Sequence, residues 1–223
     1  MCHTVGSDHP EGEHVATDRR TAILEGAARV IARRGVRGLR MEELAAEAGV
    51  STALIYYHFK DRAGVLRNTL EFISDRADRY TSDGDDSAGP RDARQDLEQT
   101  LLLEFQDLPE VRENSTAWGE LRASAIFEPE LRGDVARATL AWIHDVAELL
   151  GRVRPATPAP ALTVSAERLT ALLEGLSTRW LSGALPLTHA RELTRDAVAV
   201  EVERLGEREP AHAGAAVPQG AMR

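Results

Sequence analysis

The sequence predicts an all-α protein of nine helices in two domains, a small N-terminal helix-turn-helix unit followed by a larger helical body. Three observations predict it. Apolar residues recur at spacings of three and four from about residue 18 onward, the period of an amphipathic helix. No stretch alternates apolar and polar residues as a half-buried strand does, and aromatic residues, which strands favour, make up only 4% of the 223 residues. No segment repeats at the fixed period that marks a solenoid.

Residues 1–17 are polar, with three acids, three histidines and no Lys or Arg. Nothing fixes the geometry of His3, His9 and His14 as metal ligands, and a disordered leader without the apolar centre of a signal peptide is expected. The first helix starts near residue 18, with Thr17 or Asp18 as its cap. It carries Ile23, Ala27, Val30 and Ile31 on one stripe and ends at Gly35. The second spans Met41 to Ala48 and the third Thr52 to about His58. The fourth follows Asp61, with Leu66, Leu70, Ile73 and Ala77 on one face. Ser82–Pro90 reads as a loop.

A fifth helix extends to about Asp107, with Leu97, Leu101 and Phe105 at fourfold spacing. The sixth runs from about Glu110 to Phe127, with a break expected near Asn114-Ser115. Pro129 suits the first turn of the seventh, which extends to about Leu150. The Pro-rich stretch 152–164 reads as a connector. The eighth starts near Ser165 and turns Leu169, Leu172, Leu173, Leu176 and Trp180 inward. The ninth runs from Thr188 to Gly206. The organisation is therefore a leader (1–17), a head (18–62), a body (63–206) and a disordered tail (207–223).

The formal net charge is −9, but it is unevenly spread. Residues 18–62 hold nine Lys/Arg against six acids, whereas residues 63–223 hold 18 against 27. A basic head on an acidic body is the asymmetry of a protein that meets phosphate with one part only. Lys60 is the only lysine, so no Gly-Lys-Ser/Thr phosphate loop exists. Cys2 is the only cysteine, which excludes an intrachain disulfide and a thiolate metal site. No apolar run has the length to span a bilayer. Gly49-Val50-Ser51-Thr52-Ala53 lacks the second glycine of a nucleophile elbow, no His-Glu-x-x-His occurs, and Asp85-Asp86 lie in a loop. No catalytic residue, metal or cofactor is expected, and the protein reads as cytoplasmic.

The informative stretch is Leu39–Leu66. Two short helices flank Gly49, which supplies the left-handed residue that ends the first of them. Ser51 caps the second by accepting from its early amides, and Val50 can pack on Ile55 as a hydrophobic staple. Leu39 and Leu44 repeat that arrangement around the first, although Arg40 is a poor cap; Glu42 and Glu43 favour its N-terminus through the helix dipole. Ile55 and Phe59, four apart, face the core. That leaves Thr52, Ala53, Tyr56, Tyr57 and Lys60 outside, an array of hydroxyls, rings and a cation suited to phosphates and base edges.

These residues resemble the N-terminal domain of the TetR family of transcriptional regulators. The matching positions are Ile23-Leu24, Ala27-Ala28, Arg34-Gly35, Leu44-Ala45, Ala48-Gly49-Val50-Ser51, Ile55-Tyr56, His58-Phe59, Arg62 and Leu66, about 50 residues in all. The resemblance implies that Tyr56 and His58 touch phosphate and that Thr52, Ala53, Leu54 and Tyr57 face bases. It also implies that Arg62 holds the DNA backbone. Ser51 and Lys60 complete the set, and Arg40 offers a phosphate contact where the family usually has a threonine cap; Ile31 stands where it often has phenylalanine. It further implies a homodimer paired through the eighth and ninth helices, here at Leu169, Leu172, Leu176, Val198 and Val202. Its two heads would enter successive major grooves of a palindromic operator in double-stranded DNA, and a small-molecule inducer in the body would release them.

Trp118, Phe127, Pro129, Glu130-Leu131-Arg132 and Trp142 resemble the C-terminal domain of the subgroup that includes choline-responsive regulators. The candidate pocket residues are Phe105, Trp118, Leu121, Arg122, Trp142, Glu174 and Trp180. Ordinary core packing is the alternative for each aromatic, and an ion-paired surface position for Arg122 and Glu174. The expected function is a ligand-responsive repressor. The alternatives are an all-helical adaptor or sensor that does not bind DNA, which leaves the basic head without a purpose, and a small helical enzyme.

Overall fold

A computed structural model describes residues 11–82 and 92–207, with side chains placed for 18–77 and 92–207. These residues form α1 (Glu11–Arg34), a 3₁₀ turn (Val36–Gly38), α2 (Met41–Ala48), α3 (Thr52–Phe59), α4 (Arg62–Ser82), α5 (Ala93–Leu103), α6 (Pro109–Ser124), α7 (Pro129–Val153), α8 (Ala159–Leu181) and α9 (Leu187–Glu207). Residues 1–10 of the expected leader with His3 and His9, 83–90 of the loop and 208–223 of the tail lie outside the described residues.

α6 ends at Ser124 rather than near Phe127 and α7 runs on to Val153 rather than Leu150, and four other departures from the sequence expectation have a local cause. α1 begins at Glu11, because no proline interrupts the chain between Pro10 and residue 18. α5 stops at Leu103: Phe105 is fully buried, and Arg191 of α9 captures the carbonyls of Leu102 (3.1 Å) and Phe105 (2.6 Å). α6 is unbroken, because Asn114 donates across to the Ile73 carbonyl of α4 (3.0 Å) instead of competing for its own backbone. α8 absorbs half of the Pro-rich connector, with Pro158 at the N-cap and Pro160 in a first turn whose amides lack helical acceptors anyway.

Among the described residues the buried apolar side chains form two clusters. The first contains the stripe of α1, Leu39, Leu44, Ile55 and Phe59, and continues through Val65, Leu66, Leu70 and Ile73 of α4 into Leu121, Leu131 and Val135 of α6 and α7. The head thus shares one core with the near end of the body. The second joins α5, α7, α8 and α9 around Leu101, Phe105, Leu150, Leu173 and Trp180.

Leu169, Leu176, Val198 and Val202, expected at the dimer seam, belong to this second cluster and are buried within one protomer. Leu172, expected to face inward, is 38% exposed. The reason is the helical period: the stripe Ala166, Leu169, Leu173, Leu176 and Trp180 fills α8's inner face, which leaves Val164 and Leu172 on the outer one with Ala171 and Gly175. Arg168 of α8 grips Glu201 of α9 through two hydrogen bonds of 2.7 and 2.6 Å.

Candidate nucleic-acid interface and ligand cavity

The head is built as the turn chemistry dictates. Gly49 closes α2 in the left-handed region at φ 65°, and Ser51 accepts the Leu54 amide at 3.2 Å to start α3. Arg40 sits at the α2 N-cap without a capping bond. At the other end of α3, Lys60 takes φ 67° and Asp61 caps α4 by accepting from Gly64 at 2.7 Å. A Cβ on Gly64 would stand 1.9 Å from the Phe59 carbonyl oxygen, so the α3–α4 turn is this tight only because that residue is glycine.

With Ile55 and Phe59 buried, α3 turns its other side to solvent. Tyr57 is 81% exposed and Tyr56 49%, with Ala53, Ser51 and Lys60 exposed beside them and Thr52, Leu54 and His58 half-buried. The Tyr57 and His58 rings meet edge to face at 5.2 Å. The α3 residues proposed to meet DNA therefore lie together on one protruding helix.

The head's positive charge is partly used internally. Arg29 pairs with Glu47 at 2.8 Å, Arg33 pairs with the same carboxylate, and Arg34 pairs with Glu43. Hydrogen bonds from Arg29 and then Arg33 hold the Glu47 carboxyl below its ordinary range. Arg37, Arg40 and Lys60 make no ion pair among the described residues. Arg62 is set apart from α3's outer face: it donates to the carbonyls of Val36 (2.6 Å) and Leu39 (3.4 Å) and pairs with Glu128 at 3.1 Å.

A cavity of about 790 Å³ opens between α4, α6, α7 and α8. Trp118 and Trp142 line it, with Arg122 and Glu174 in an ion pair of 2.7 Å that bridges α6 and α8. Glu120 and Asp145 add carboxylates, and Arg122 is the one arginine among the described lining residues, so the wall is acidic. Asn114 also lines it; the residue is 5% exposed and its Oδ1 has no hydrogen-bond partner among the described residues.

Phe105, Leu121 and Trp180 do not line this cavity. The Phe105 and Trp180 rings meet at a tilt, 6.1 Å between centres, in the second core, with Arg112 over the Trp180 ring, and Leu121 is buried in the first. The sequence reading missed Asn114, Glu120, Asp145 and Ile126. Asn114 was findable: it falls on the inward stripe Val111, Asn114, Ala117, Leu121, where a polar residue is out of place unless it has a partner. No described cluster of His, Cys, Asp and Glu has the makings of a metal site, and no described helix is long and apolar enough to cross a membrane.

Comparison with known proteins adds three findings. Residues 23–69 match the model for bacterial regulatory proteins of the tetR family, and residues 93–203 match the C-terminal model of BetI-type transcriptional repressors. The HTH-type transcriptional regulator BetI of Burkholderia mallei (strain NCTC 10229) is 26% identical over 168 residues, covering 75% of this chain and 82% of that protein. Among solved structures, a TetR-family transcriptional regulator from Rhodococcus sp. is 44% identical with a TM-score of 0.76, over 83% of this chain and 99% of its own. A transcriptional regulator from Saccharomonospora viridis in complex with choline is 27% identical with a TM-score of 0.68, over 82% of this chain and 96% of its own.

Proposed function

The chain belongs to the TetR family, as a ligand-responsive DNA-binding transcriptional repressor, and from that premise we propose which of its surfaces do the work. The α3 face reads the operator. Thr52, Ala53, Leu54 and Tyr57 approach base edges, while Ser51, Tyr56, His58, Lys60 and Arg40 meet phosphates, as donors of these types do in a major-groove complex. The observation that carries this is the exposure of both tyrosines on a helix whose Ile55 and Phe59 anchor it.

Two protomers pair through the outer faces of α8 and α9. Val164 and Leu172 on α8 and Val200 on α9 are exposed apolar side chains there, and Ala171 and Gly175 between them allow close helix approach. A palindromic operator follows from the twofold axis.

The inducer is a small organic cation. Two tryptophan rings and a surplus of carboxylates suit a cation by cation–π attraction and charge, and the Asn114 carbonyl oxygen can accept from a hydroxyl or amine on it. The choline complex of the Saccharomonospora relative supports that class. The experiment is a mobility shift on duplex DNA flanking the chain's own gene, titrated with salt and then with choline. Retention that falls steeply with salt is expected, as is release by choline. Failure to retain any duplex at low salt overturns the DNA reading; retention without release by choline or other quaternary amines overturns the ligand reading.

A further inference from the structure

Arg62 stands where the family resemblance implies a grip on DNA, yet each of its three guanidinium nitrogens makes a contact within the protein. Nη2 and Nε donate to the carbonyls of Val36, the first residue of the 3₁₀ turn, and Leu39, the residue that follows it, and Nη1 pairs with Glu128. Glu128 is the N-cap residue of α7. Turning Arg62 toward a phosphate would leave both carbonyls without it and a carboxylate beside the phosphate.

We propose that Arg62, through Glu128, is a positioning residue that fixes the angle of the helix-turn-helix relative to the body and makes no phosphate contact. The inference rests on the regulator reading above. Two further contacts concentrate near the same place. The Arg37 guanidinium lies 5.7 Å from the centre of the Phe127 ring, next to Glu128, and Arg67 of α4 pairs with Asp134 of α7 at 3.3 Å. The elbow between α6 and α7 is itself stiff: the Phe127 and Glu128 amides both donate to the Ser124 carbonyl, at 2.9 and 2.8 Å. Arg132 donates to the Ala125 and Ile126 carbonyls at 3.0 and 2.9 Å.

Ile126, one residue before Phe127, lines the ligand cavity. A cavity wall residue and two residues gripped by the head are thus consecutive on one hydrogen-bonded elbow. A ligand that displaces Ile126 moves Glu128 with it and, through Arg62, the start of α2. The elbow is a contiguous hydrogen-bonded element that touches both sites, the kind of connection that coupling between them can use.

The variant Glu128→Gln separates the two roles of Arg62. The duplex is the one that wild-type protein selects from random DNA, and binding is followed by fluorescence anisotropy over a range of salt. Operators with one base pair added or removed between half-sites are measured alongside. As a latch, Glu128→Gln weakens binding to the selected operator about five- to tenfold, since both heads of a dimer lose a half-exposed pair. It leaves the salt slope unchanged and narrows the gap between the native and altered spacings. Phe127→Leu shifts the spacing preference in the same direction.

If Arg62 instead holds phosphate, removing the competing carboxylate tightens binding or leaves it unchanged. Tighter binding, unchanged binding, or an equal loss on every spacing overturns the proposal. A wild-type protein that selects no duplex overturns the regulator reading itself, and the two failures are distinguishable.

Discussion

Glu201 shows how one side chain can carry a pH response. Burial pushes its carboxyl up, but hydrogen bonds from Arg168 and Ser165 and the charges of Arg168 and Arg204 outweigh this and leave it below the ordinary carboxylate range. A carboxylate with a lowered folded value adds stability that is complete above its unfolded value, near 4.5, and drains away as pH falls through the folded value. Glu201→Gln is expected to cost about 1–3 kcal/mol at neutral pH and to flatten the acid limb of the stability curve below about pH 5, measured by thermal melts across pH. On α3, Tyr57→Ala and Thr52→Ala are each expected to weaken operator binding about tenfold while melting within a few degrees of wild type. Equal binding by wild type and Tyr57→Ala would displace the proposed reading face. The outward aim of Tyr57 was legible in the sequence, because a helix of eight residues with Ile55 and Phe59 inward has only one other side. The engagement of Arg62 was not, because Glu128 is 66 residues away in the chain and only packing brings the two together.

At the scale of elements, turns and stripes behave differently. Gly49 closes the short helix α2 and Gly64 lies in the first turn of the long helix α4, and they resist substitution for different reasons. Space around Gly49 is open, so Gly49→Ala pays only for its positive φ, about 1 kcal/mol. Gly64→Ala forces a Cβ into the Phe59 carbonyl and is expected to cost about 2 kcal/mol or more, enough to loosen α3. Denaturant titration of the two variants checks the order. The same contrast applies along α8. Leu172→Arg places a charge on an exposed position and is expected to give folded monomers in sedimentation; a variant that stays dimeric removes Leu172 from the seam. Leu176→Arg buries an unpaired cation in the second core and is expected not to fold. The sequence showed that α8 is amphipathic but misplaced Leu172 on it. Leucines at 169, 172, 173 and 176 fill more than one stripe, and only the positions of α7 and α9 decide which stripe is inside.

At the scale of the whole molecule, the α6–α7 elbow and α4 connect a DNA-facing head to an acidic cavity. Trp142→Ala and Asp145→Asn are expected to leave operator affinity unchanged and to raise the choline concentration needed for release about tenfold or more, read in the same mobility shift. Variants that lose DNA binding and ligand response together would place these residues in the core rather than the cavity. The sequence by itself determined the helical class, the helix-turn-helix with its cap and left-handed glycine, and the basic head. Those properties follow from interactions within a few residues and from the helical period. Tertiary structure alone decided that Trp118 and Trp142 line a cavity while Phe105 and Trp180 fill a core. It likewise turned four expected seam residues inward and set Arg62 against Glu128. Each of these depends on which helix lies opposite, and that is fixed by the simultaneous packing of residues distant in the chain.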